Sequence, residues 1–288
     1  MHVTAATNLA CPIDASPLST DGAVLRCAAG HSFDRAREGY CNLLVVQHKA
    51  SRDPGDSKEM VAARRRFLEA GHYAPIAGNV FETVRACTAV APPGRTYHIL
   101  DAGCGEGYYL DRIGKLAASC PQPTAISFAG IDVSKWAVKA AARKPTPAAW
   151  LVANNRHPPF LPGSVELILC LFGFPVWEGF WPIQPVGGHV VLVDPGPDHL
   201  IELREIIYPT VTRSESTPQA AAQAAGYALQ REQILRFQLT LDSQRAIQDL
   251  LAMTPHAHRL SQAGREALAR RSALTVTADV VLRLLARK

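Results

Sequence analysis

Two groups of residues in this 288-residue chain have the types and spacing to do chemistry. The first is Cys11-Pro-Ile-Asp14 followed, after twelve residues, by Cys27-Ala-Ala-Gly-His31. Four ligand-type side chains in two close pairs is the layout of a zinc ribbon or knuckle. Asp14 stands where a second thiolate is expected, so the set is two thiolates, one imidazole and one carboxylate. Giving up a soft ligand predicts weaker zinc binding than three thiolates and an imidazole would give. Cys41 competes with Asp14 as the fourth ligand, and two unrelated buried cysteines is the bland alternative. The second group lies in residues 98–109, where an apolar run ends in Asp101 and is followed by Gly103, Gly105 and Gly107. Glycines let the backbone turn sharply and let a ligand approach closely, and a helix starting near Glu106 offers unpaired N–H groups. A dinucleotide loop needs Gly-x-Gly-x-x-Gly, and here the third position is Tyr108.

Alternating glycines behind an acid resemble instead the first motif of S-adenosylmethionine-dependent methyltransferases, whose loop wraps the methionine and ribose portions of the cofactor. Asp132 ends the next strand, where a carboxylate can accept both ribose hydroxyl protons. Asn154, at the end of a third strand, is placed to hydrogen-bond the adenine. The expected cofactor residues of the domain are therefore Asp101, Gly103, Gly105, Glu106, Gly107, Asp132 and Asn154.

The elements that must position these groups follow from hydrophobic periodicity. A hairpin through Thr20-Asp21-Gly22 separates the two metal pairs. Helices are expected over 57–71 and 75–90, then a break at Pro92-Pro93-Gly94. Beyond it, strands at 98–101, 129–133, 149–153, 165–172 and 189–193 alternate with helices over 106–119, 135–143 and 198–207. That order predicts a parallel sheet with helices on both faces. A short helix or mobile connection at 220–225, a strand over 231–241, helices over 243–253 and 261–269, and a last antiparallel strand at 275–285 complete the chain. The fold class is thus α/β: a Rossmann-like class I methyltransferase domain over 95–288, a small zinc-ribbon-like module over 1–46, and a basic loop with linker helices over 47–94.

Hydrophobic residues at 48% and charged residues at 19% describe a globular chain with a sizeable core. No apolar run is long enough to cross a membrane, and no signal-peptide pattern opens the chain. Seven scattered cysteines argue for a reducing compartment, so a cytoplasmic protein is expected. A net charge of +5 permits a polyanionic partner. Lys49, Arg52, Arg64, Arg65 and Arg66 are the candidate RNA contacts, although three successive arginines on one helix cannot all face one way.

With these residues assembled, the chain resembles the RlmA family of large-subunit ribosomal RNA guanine-N1 methyltransferases. The matching stretches include His31-Ser-Phe-Asp34, Arg37-Glu-Gly-Tyr40, Gln47-His-Lys49, Arg52-Asp-Pro-Gly-Asp-Ser57, Gly71-His-Tyr73, Asp132-Val-Ser-Lys135, Pro195-Gly-Pro197 with His199, and Met253-Thr-Pro255. The resemblance implies S-adenosylmethionine and zinc as cofactors, a ribosomal RNA hairpin as substrate, often a homodimer, and cofactor contacts from Tyr73, Gly105, Glu106 and His199. It departs from the family at Asp14 and at 172–177, where the target base should enter; there Phe172, Phe174 and Trp177 could stack on a flipped base. The residue that accepts the guanine N1 proton is not named by the sequence. Asn155 and His157 lie near the right edge, while Cys104 and Cys170 read as small packing residues. Rival functions are a noncatalytic RNA-binding ribosome-assembly factor and a methyltransferase acting on another RNA or on a small molecule.

Overall fold

The structure, a computed structural model, describes residues 3–48, 54–92, 94–120, 124–213 and 219–288. Lys49 and Arg52, two of the expected RNA contacts, lie outside the described residues. The chain opens with β1 (Val3–Ala5), then β2 (Ser19–Asp21), β3 (Val24–Arg26), β4 (Ser32–Asp34) and β5 (Cys41–Asn42). Helices α1 (Lys58–Glu69) and α2 (Ala74–Ala89) follow. The alternating part is β6 (Thr96–Ala102), α3 (Tyr108–Ala118), β7 (Ala125–Asp132), α4 (Lys135–Ala141), β8 (Ala149–Val152), β9 (Leu167–Leu171), α5 (Trp177–Ile183), β10 (His189–Pro195) and α6 (Ile201–Ile207). After α7 (Gln219–Ala224) come β11 (Tyr227–Leu241), α8 (Gln244–Ala252), α9 (Gln262–Ala269) and β12 (Leu274–Arg287).

The main sheet runs β11-β12-β10-β9-β6-β7-β8-β5, with β2-β3-β4 forming a separate small sheet. The strands from β6 to β10 are parallel, while β12 is antiparallel to both β10 and β11. The strand order reverses at β6, between β7 and β9, so ligands are expected beyond its carboxyl end. Both faces of the sheet are buried, which is why β9 reads as the unbroken apolar run Leu-Ile-Leu-Cys-Leu. Helix α1 starts at a Ser57 cap whose side chain accepts from the Met60 amide. It turns Val61, Ala63, Phe67 and Leu68 inward, at the spacing expected of a half-buried helix.

The first 46 residues are tied into this sheet at two places. Strand β8 has only four residues, which pair with positions 129–132 of β7. The earlier part of that edge is filled by β1, pairing Val3, Thr4 and Ala5 with Ile126, Ser127 and Phe128. On the far side of β8, Cys41 and Asn42 add the edge strand. Three-residue strands carry little periodicity, so neither β1 nor the helix α5 stands out in the sequence. Among the described residues, no helix is long and apolar enough to cross a membrane.

Candidate cofactor and metal sites

Beyond β6 the backbone leaves the sheet at Asp101 and Ala102 and passes three glycines in left-handed geometry, with φ of 96°, 54° and 81° at 103, 105 and 107. The glycines do different work. A Cβ on Gly107 would lie 2.8 Å from Trp150 and 2.9 Å from Ala141, so that position serves packing of the loop onto α4 and β8. A Cβ on Gly105 would meet only Arg64, at 3.7 Å, so there the constraint is backbone conformation. Asp132 braces the turn, accepting from the Gly105 amide at 3.0 Å and from the Ser134 amide at 2.8 Å.

Three carboxylates converge on this loop: Asp101 and Glu106, both buried, and half-buried Asp132. Burial, then the charges of Asp132 and Glu106, pushes Asp101 up to about 8. Burial likewise raises Glu106 and Asp132 above the usual carboxylate range. Lys144 lies 3.0 Å from one Glu106 oxygen as an off-axis ion pair. The other Glu106 oxygen, Asp101 Oδ2, and the hydroxyls of Tyr108 and Tyr109 are buried with no hydrogen-bond partner among the described residues. Orphaned buried polar atoms of this kind call for a ligand that supplies their partners. Such acceptors, on carboxylates whose ionised form burial disfavours until a cation joins them, suit a sulfonium, an ammonium and ribose hydroxyls; they do not suit a pyrophosphate. The residues present therefore fit S-adenosylmethionine.

On the β9 side, Tyr73, Phe172 and His199 form one aromatic group. Tyr73 Oη lies 3.2 Å from His199 Nε2, and the Phe172 ring stacks on Tyr73 with centroids 5.6 Å apart. Phe172 and Leu200 hold positive φ of 56° and 53° without being glycine, strain that surrounding structure must impose. The Asp279 amide donates to His199 Nδ1 at 3.2 Å, which leaves the ring proton on Nε2, facing Tyr73. Burial lowers the His199 pKa to about 4 and raises that of Tyr73 well above its ordinary value. Both side chains are neutral near pH 7, and His199 has no free lone pair with which to act as a base.

Asn154 follows β8 at the same edge of the sheet, and its Oδ1 accepts from the amides of Arg156 and His157, capping its own turn. Of the aromatic residues at 172–177, Trp177 packs against Tyr227 and Phe180, whereas Phe174 is 89% exposed. Cys104 and Cys170 are buried thiols with raised pKa, as packing residues should be.

The three arginines of α1 fan apart by about 100° per residue. Arg66 makes two hydrogen bonds to Asp249, at 2.8 and 2.6 Å, and is committed to holding α8. Arg64 pairs with Asp56, donates to the Met253 carbonyl at 3.2 Å and reaches Gly105. These two arginines, expected as RNA contacts, thus have partners within the fold: Arg66 is a tertiary strut, and Arg64 sits beside the glycine loop. Arg65 is more exposed and, among the described residues, is held by Glu69 at 3.9 Å. Sequence reasoning also missed Lys144 and Ser134. Ser134 donates to the Asp56 carbonyl at 2.7 Å and so ties the 54–57 loop to the turn after Asp132. Separations of 38 and 78 residues leave no local signal for either contact.

In the small module, Cys11, Asp14, Cys27 and His31 place one ligand atom each within 4.8 Å of one another. His31 Nδ1 lies 3.1 Å from Asp14 Oδ2, 3.3 Å from Cys27 Sγ and 3.5 Å from Cys11 Sγ. Donor separations of about 3.3–3.8 Å are what a tetrahedral zinc with bonds of roughly 2.0–2.3 Å requires. Ser16 donates twice to Asp14 Oδ1 and holds the carboxylate ionised and oriented, as a supporting shell does for a metal ligand. Cys41 is instead buried in the main sheet's edge strand, outside this group.

Comparison with known proteins points to one family. Residues 9–52 match the zinc-ribbon family described as RlmA, N-terminal. The 23S rRNA (guanine(748)-N(1))-methyltransferase of Streptomyces fradiae is 33% identical over 250 residues, 86% of this chain and 84% of that one. Bacillus subtilis YxjB is 31% identical over 281 residues, 94% of each chain. A Micromonospora griseorubida protein is 35% identical over 219 residues, 70% of each chain. Both of these bear "23S rRNA (guanine-N(1)-)-methyltransferase" in their names. The chain belongs to this methyltransferase family. Its cofactor is S-adenosylmethionine, and its ribbon carries a zinc-ligand set with aspartate at one corner.

Proposed function

We propose that this protein transfers a methyl group from S-adenosylmethionine to N1 of a guanine in 23S ribosomal RNA. The observation that carries the reading is the presence, in one chain of this family, of three carboxylates at the glycine loop, two of them with unpartnered buried oxygens, and of the Tyr73–His199–Phe172 group on the β9 side of the sheet. When bound, the cofactor supplies an electrophilic methyl on a positively charged sulfur. Asp132 keeps lone pairs for the ribose hydroxyls beyond those used by Gly105 and Ser134. Asp101 and Glu106 offer negative charge to the cationic end. Tyr73 receives the His199 Nε2 proton in a hydrogen bond, so its own hydroxyl proton can be donated to an acceptor in the cleft.

Such a centre works by positioning, because sulfonium carbon and nucleophile need near-attack geometry. Guanine N1 carries a proton at neutral pH, and neither His199 nor Tyr73 is in a state to take it. Exposed Phe174, on the loop after β9, is the aromatic surface best placed to stack on an incoming base. In the proposed division of labour, residues 1–46 and 47–94 hold the RNA hairpin and 95–288 perform the transfer, in the cytoplasm and as a homodimer. Mass mapping of methylated guanosines in ribosomal RNA from cells with and without the gene tests the proposal. One N1-methylguanosine that disappears with the gene, and is restored by the purified protein, is expected. An unchanged map refutes it.

A further inference from the structure

We propose that the groove between α1 and α4 is a binding track for a single-stranded RNA segment flanking the modified hairpin; this deepens the function proposed above and rests on it. The groove has a volume of about 400 Å³ and is walled by Lys58 and Arg65 from α1, by Trp136 and Lys139 from α4 and by Arg143 just after it, over a floor that includes buried Val61. Anions only partly answer the groove's four cations: Glu59 feels the charge of its neighbour Lys58. Glu38 lies 3.1 Å from Lys139 and 3.7 Å from Arg143, and Glu69 lies 3.9 Å from Arg65 while also holding Lys144 at 3.1 Å. Arg65 and Arg143 keep 48% and 59% of their side chains exposed, so neither charge is spent on the fold.

The geometry matches a nucleic-acid strand better than an acidic peptide. Cations on both walls can track a phosphate backbone along the length of the groove. Lys58 and Arg65 are separated by seven residues, about 10.5 Å along the helix, so one wall alone reaches past a single phosphate. The track also leads to the right place. Both helices begin at the cofactor edge, where the Asp56 carbonyl accepts from Ser134 just before α4. The groove's other boundary is the ribbon itself, through Glu38. A strand lying in it joins the zinc module to the methyl-transfer site.

The test uses the full-length protein and the triple variant Lys58→Gln, Arg65→Gln, Arg143→Gln, with a twelve-nucleotide oligouridylate as probe and a 23S rRNA hairpin transcript as substrate. The variant should bind S-adenosylmethionine like the wild type. Its log affinity for oligouridylate should depend less steeply on log salt, by about 2 (three contacts at roughly 0.7 each). In methylation assays the loss should fall on KM for RNA, by about tenfold or more, and not on kcat. An unchanged slope in the triple variant overturns the proposal, as does displacement by an acidic peptide that oligouridylate cannot match. If the wild type binds oligouridylate through these residues yet methylates no ribosomal guanine, the track stands and the proposed reaction falls.

Discussion

Cofactor binding should expel a proton, and Asp101 is its main source. Burial and the neighbouring carboxylates push this group up to about 8 in the protein alone. At pH 7 a group with that pKa is about nine-tenths protonated. A sulfonium and an ammonium set against the three carboxylates favour the ionised form, so the pKa falls on binding. If it falls below about 6, close to 0.8 of a proton leaves Asp101 per cofactor bound at pH 7. The sign follows directly: a group whose pKa drops on binding makes affinity rise with pH. The rise is up to tenfold, or about 1.4 kcal/mol, per pH unit, and it flattens above pH 8. Titration calorimetry in two buffers of different ionisation enthalpy, from pH 6 to 9, counts the protons. Asp101→Asn should remove this share of the release. The same substitution has a consequence for the cofactor-free fold. Because the folded pKa is raised above the unfolded value of 3.8, ionised Asp101 costs stability progressively as pH rises from 3.8 to 8. The Asn variant should therefore melt above the wild type at pH 9, with the gap closing toward pH 4. Fewer than about 0.2 protons released at pH 7, with affinity flat between pH 6 and 8, would refute the electrostatic account.

The metal site predicts about one equivalent of zinc in protein purified without chelator. A chelator should strip zinc from the wild type faster than from Asp14→Cys, with loss of amide protection in β2–β4; less than about a tenth of an equivalent with the ribbon still folded counts against a zinc site. The glycine loop predicts two distinct failures. Gly107→Ala should destabilise the fold by about 1–3 kcal/mol in urea titrations, because its Cβ would press on Trp150 and Ala141 at positive φ. Gly105→Ala meets only Arg64, so it should cost about 1 kcal/mol of backbone strain and be read chiefly in cofactor affinity; equal unfolding midpoints for the two variants would contradict this division.

The sequence by itself determined the local and near-local features. Periodicity located α1 and the strands of the central sheet, because an amphipathic helix and a doubly buried strand each leave a pattern within a dozen residues. The two metal pairs were legible as close spacings, and the carboxylate at 132 was legible because it ends a strand one βαβ unit after the loop. Tertiary structure decided what side chains of that pattern actually face. Arg64, Arg65 and Arg66 are neighbours in sequence, yet they serve the cofactor loop, the open groove and Asp249 respectively; helix rotation and packing against α8 sort them. Cys41 competed with Asp14 as the fourth zinc ligand in the sequence, and the pairing of β5 with β8 places it in the sheet instead. The raised pKa of Asp101 is likewise invisible in the chain order. It requires three carboxylates from two strand ends and a loop to share one desolvated space, and only folding brings them there.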